Sequence, residues 1–177
     1  MIKSLVKDIL DDVQTISYKD LEGRLERYDE VSFDIFDTLI KRNVPKPIDV
    51  FQLMEECLGY NDFCKNRVRA EIEARKLSGE VTLKDIYTVM TSYDDDIKDI
   101  LMAAEIEYES NLCVVNKDMI DIYNSIVKNK RVFLISDMYL SKEVIESILE
   151  KNNITGYDEL IISNEIGKNK SNGELFK

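Results

Sequence analysis

The chain has 177 residues, is 44% hydrophobic and 33% charged, and carries a formal net charge of -11. That composition suits one packed domain, or one domain with an insertion, rather than a disordered chain. A surface so negative repels nucleic acid and anionic lipid headgroups. The chain has no histidine, so Ser-His-Asp and Cys-His catalysis and zinc deaminase chemistry are excluded. Its three cysteines, Cys57, Cys64 and Cys113, form no C-x-x-C pair and read as free thiols of a reducing compartment. No signal peptide or run of about 18 apolar residues appears, so a cytoplasmic protein without membrane insertion is expected.

In chain order, Ile2, Leu5, Val6, Ile9, Leu10, Val13 and Ile16 recur at helical spacing, and a second helix is predicted over Lys19 to Tyr28. In VSFDIFDTLI, Val31, Phe33 and Ile35 alternate with Ser32 and Asp34, a strand pattern. From Pro45 the texture turns helical, over 48–59, 62–78, 83–92 and 96–110. Asn61 and Thr82 read as N-caps, and Gly59 and Gly79 as stops. Asp94, Asp95 and Asp96 read as an exposed loop or helix N-terminus.

Asn116 should open a helix running through Lys128. RVFLIS, from Arg131 to Ser136, is a short apolar strand, and Ser141 should cap a helix to about Lys151. ELIIS, from Glu159 to Ser163, is a further strand. Strands alternating with helices argue for a parallel α/β sheet, and ligands collect beyond the carboxyl ends of such strands. Asp34, Ser136 with Asp137, and Lys170 would meet there. A carboxylate, a hydroxyl and a lysine suit a phosphate site with a nucleophile. A divalent ion such as Mg²⁺ would screen the two approaching anions.

With these residues in place, the sequence resembles the haloacid dehalogenase (HAD) superfamily. FDIFDTL resembles its first motif, with Asp34 as nucleophile and Thr38 as the motif threonine. LISD resembles the second motif, through Ser136. GKNKSNGELF resembles the third, through Lys170 with Phe176, Lys168 being the weaker match. SFDIFDTLI and ISDMYLS also look like a bacterial subgroup of predicted hydrolases associated with surface-polysaccharide glycosyltransferases. The resemblance implies a Rossmann-like core over 31–44 and 113–177, N-terminal helices over 1–30, and an all-helical cap over 45–112. It implies an aspartyl-phosphate on Asp34, phosphate contacts from Thr38, Ser136, Asp137 and Lys170, and Mg²⁺ on Asp34 and the Phe36 carbonyl.

Two departures follow. HAD phosphatases place a second aspartate, the general acid and base, two residues after the nucleophile. Here that position is Phe36, and Asp37 follows it. Residues three apart on a strand do not share a face, so Asp37 takes over that role only if the backbone turns. HAD dehalogenases carry an aromatic there. The family's fourth, acidic motif does not follow within the sequence, so part of the core is expected to be missing. The strand VSFDIF is then expected to expose an apolar edge, covered by a longer chain or a homodimer. The expected function is a phosphatase of a small phosphorylated metabolite such as a sugar phosphate. The alternatives are a non-catalytic or truncated module binding a phosphorylated ligand or partner enzyme, such as a glycosyltransferase, and a haloacid dehalogenase.

Overall fold

The structure, a computed structural model, describes residues 18–167. The chain enters through helix α1 (Tyr18–Leu25), whose Leu21 and Leu25 pack on the core. Strand β1 (Glu30–Asp34) then alternates exposed Glu30 and Ser32 with buried Val31 and Phe33. This is the period-2 pattern of a strand with one covered face. Strand β4 (Arg131–Ser136) pairs parallel beside it, with Phe33 opposite Leu134 and Asp34 opposite Ile135. Strand β5 (Glu159–Ile162) pairs parallel on the far side of β4, giving the order β1-β4-β5. The central strand buries Val132, Leu134, Ile135 and Ser136, as a parallel strand covered on both faces should.

Two short strands, β2 (Ile40–Arg42) and β3 (Cys113–Val115), pair antiparallel, Ile40 with Val115 and Arg42 with Cys113. Neither was read from the sequence, because three residues carry too little periodicity. Between them lies a helical block: α2 (Asp49–Leu58), α3 (Phe63–Ser78), α4 (Leu83–Val89) and α5 (Asp95–Leu112). Gly59, at φ 75°, ends α2 with its N–H on the Glu55 carbonyl, a left-handed stop that suits glycine. Thr82 and Asp85 form a reciprocal capping box at α4. Asp94 caps α5 by accepting from the Ile97 N–H, which explains its place in the acidic run. Asn61 is not a cap. Asp62 holds that position before α3, in a left-handed conformation and with no side-chain cap bond, while the Asn61 carbonyl accepts from Tyr93.

Buried Phe63, Arg67, Ala70 and Ala74 lie along one face of α3 at helical spacing. Leu101, Glu105 and Glu109 do the same on α5. Helix α6 (Lys117–Ile126) stops two residues short of the expected end and is capped by Asn116; α7 (Lys142–Lys151) is capped by Ser141. The serine of ELIIS leaves the strand and opens the short helix α8 (Ser163–Ile166). No helix among the described residues is long and apolar enough to cross a membrane.

Candidate active site

Asp34 closes β1, half-buried, at the carboxyl edge of the sheet. The chain then turns sharply: the N–H groups of Leu39 and Ile40 both donate to the Ile35 carbonyl at 2.9 Å. Asp37 enters this turn at φ 61°, a conformation aspartate tolerates better than most residues, and its N–H donates to the Ile40 carbonyl at 2.7 Å. The turn brings Thr38 back over the strand end, where its hydroxyl donates to Asp34 Oδ2 at 3.0 Å. Asn116, 6% exposed, fixes the turn from β3's side. Its side-chain N–H donates to the Thr38 carbonyl at 2.7 Å and its backbone N–H to the Leu39 carbonyl at 2.8 Å. The sequence marks Asn116 only as a helix cap, so this second task was not legible there.

The parallel register carries Ser136 to the same edge, one residue beyond the partner of Asp34. Adjacent strands lie about 4.8 Å apart, so the two strand ends are neighbours. Ser136 is 2% exposed, and Asp137, next to it, is exposed. Ser163 follows β5 at the same edge, fully buried, and among the described residues its hydroxyl makes no hydrogen bond; neither does the buried Oδ1 of Asn164. Buried polar groups without partners are rare, and here two stand together beside a strand end. The third-motif residues Lys168, Lys170 and Phe176 lie outside the described residues. Asp37 is exposed, and the structure records no hydrogen bond between its carboxylate and Asp34 or Thr38.

Phe36 does not project into bare solvent. The Arg42 guanidinium stacks on its ring at 4.7 Å. Arg42 Nε donates to Glu109 Oε2 at 2.8 Å, and the Tyr139 hydroxyl donates to Glu109 Oε1 at 3.3 Å. Beside this lies Arg67, fully buried, forked onto Glu105 at 2.7 and 2.8 Å and stacked on Phe51 and Tyr139. Burial and the neighbouring glutamates push the Tyr139 hydroxyl well above its usual range, so it stays a neutral donor. Tyr139 is a core residue that also lines the adjoining cleft. That cleft, about 450 Å³, lies between the helical block and the loop after β4, with Phe51, Val68, Asp137 and Met138 among its walls.

Among the described residues no group of three or more Cys, Asp or Glu side chains could hold a metal ion. The donor set expected from the resemblance is one carboxylate, Asp34, with the backbone carbonyl of Phe36. That fits Mg²⁺, which keeps several waters and takes substrate phosphate oxygens alongside one or two carboxylates. It does not fit a closed protein cage.

No protein-family model matches the sequence, and no curated protein matches it. Solved structures do. The HAD-hydrolase YfnB from Bacillus subtilis, bound to magnesium, superposes with a TM-score of 0.55 at 12% identity, covering 84% of this chain and 71% of that one. The chain has a HAD-like fold. The L-2-haloacid dehalogenase from Xanthobacter autotrophicus superposes at 0.53 and 13% identity, over 84% of this chain and 62% of the dehalogenase. Its form with chloropropionic acid covalently bound gives the same score, at 12% identity. At such identities the likeness is one of fold alone.

Proposed function

We propose that this HAD-like chain is a hydrolase of a small phosphorylated metabolite, acting through an aspartyl-phosphate on Asp34. The observation that carries the reading is the Thr38 hydroxyl on Asp34 Oδ2 at the carboxyl edge of the sheet. A donor on the carboxylate orients it, and one of its oxygens would attack phosphorus in line. The bond from that oxygen to phosphorus forms as the bond to the leaving oxygen breaks, and water then releases phosphate from Asp34. Ser136 at the next strand end and Lys170 would bind the phosphoryl oxygens, with Asp137 beside them. Asp34 and the Phe36 carbonyl would hold Mg²⁺, which when bound neutralises charge on the transferring phosphoryl group.

Asp37 is the residue proposed to carry protons in place of the aspartate that Phe36 displaces. Loss of a general acid or base costs about 100- to 10,000-fold, so turnover is expected to be slow unless the leaving group is a good one. Asp34→Asn should abolish phosphate release from a panel of organic phosphates with Mg²⁺, at unchanged circular dichroism. Full activity in that variant would overturn the mechanism.

The aromatic at Phe36 favours one other reading, carbon–halogen cleavage with Asp34 attacking carbon, since a halide leaves without a proton. Chloride release from 2-chloropropionate that survives EDTA would establish it. Saturable phosphate-ester binding with no turnover would favour a non-catalytic module instead. Among the described residues β1 pairs on one edge alone, which supports a second copy as the partner of the other. A monomeric sedimentation profile would count against that homodimer.

A further inference from the structure

The hydrolase reading leaves Arg42 without a task. Its side chain is 9% exposed, yet it lines the cleft that opens beside Asp137. It is held from three sides. Nε donates to Glu109, Phe36 lies under the guanidinium plane, and Nη2 sits 4.0 Å from the Met138 sulfur. A guanidinium has five N–H donors, and a thioether is a weak acceptor. Nη1 has no hydrogen-bond acceptor among the described residues. Arg67, by contrast, spends its fork on Glu105 and its third nitrogen on Glu71, and Arg75, on the same cleft, is bound to Glu71 through Nε and Nη2.

A fixed, nine-tenths-buried guanidinium with donors to spare, facing a cleft, is a ready acceptor of a carboxylate. The rest of the lining is part apolar, and Glu71, Arg75, Glu109, Asp137 and Tyr139 bring polar groups to the same cleft. The guanidinium lies 4.7 Å from the ring centroid of Phe36, two residues after Asp34, so the second group would sit on the same side of the molecule as the scissile one.

We propose that Arg42 is a specificity-determining residue that binds a carboxylate on the substrate, which is a phosphorylated carboxylic acid. This rests on the phosphatase reading for the scissile group, but the recognition can be read without turnover.

The test uses the full chain and a matched pair of compounds, 2-phospholactate and isopropyl phosphate, which differ by a carboxylate in place of a methyl. Wild type should favour the acid by about 100-fold in kcat/KM, mostly through KM. Arg42→Lys keeps a charge but loses the fork, and should lower that selectivity by about 10-fold. Arg42→Gln with Glu109→Gln avoids an unpaired buried carboxylate and should remove the selectivity. Calorimetric binding of both compounds to Asp34→Asn, with and without the double change, gives the same comparison with no chemistry. Equal handling of the pair by the wild-type chain, or selectivity that survives the double change, would overturn the proposal. Selective binding without hydrolysis would uphold Arg42 and sink the phosphatase reading instead.

Discussion

Glu105 and Glu109 sit on the buried face of α5, 0% and 1% exposed, where apolar residues would ordinarily stand. A buried carboxylate is tolerable only when it is paired and hydrogen-bonded. Glu105 receives two N–H groups of Arg67 and the Tyr87 hydroxyl at 2.9 Å. Glu109 is less well matched: burial, and then Glu105 nearby, hold its carboxyl above the usual range against the pull of Arg42. Removing one member strands the other. Arg67→Met should therefore destabilise by about 3–5 kcal/mol, while Arg67→Met with Glu105→Leu should restore much of that loss. Urea unfolding of the two single variants and the pair gives the coupling directly, and additive losses would show that the pair does not act as a unit. Nothing in the sequence signalled this cluster. Arg67, Glu105 and Glu109 read as ordinary charges in a charged block, because helical spacing says which face a residue takes but not which face is buried.

At the scale of elements, capping and strand alternation were legible where the chemistry is local. Thr82, Asp94, Asn116 and Ser141 all cap as their types suggest, and RVFLIS is a strand over the whole of its length. The misses are non-local. The β2–β3 ribbon exists because two three-residue stretches far apart in sequence meet, and the Asn61 reading failed because Asp62 took the position before α3. The α4 capping box also makes a pH prediction. Hydrogen bonds from the Thr82 side chain and backbone hold the Asp85 carboxyl below its ordinary range. A depressed value means the cap's contribution is complete above the ordinary carboxylate range and is lost as pH falls through it. Thr82→Ala should cost about 1 kcal/mol at pH 7 and less near pH 3, read as a difference in thermal midpoint. A cost that stays constant across that interval would show that the ionised Asp85 contributes nothing to the cap.

For the molecule as a whole, the net charge of -11 is a standing self-repulsion. Screening it should raise the thermal midpoint between about 10 and 150 mM salt, since the Debye length falls from about 30 to 8 Å. A midpoint that falls with salt would mean that the ion pairs outweigh the net repulsion. By itself the sequence determined the alternation of strand and helix, the helical insertion after the first strand, and Asp34, Thr38 and Ser136 as residues for one sheet edge. Those follow from period, caps and motif order, which are properties of neighbours along the chain. Only the tertiary structure decided that Thr38 turns back onto Asp34 and that Asn116 ties down that turn. It alone set Arg42 over Phe36, facing a cleft, and turned two glutamates inward. Each of these joins residues from separate elements, and which separate elements meet is settled by how the sheet and helices bury their apolar faces together.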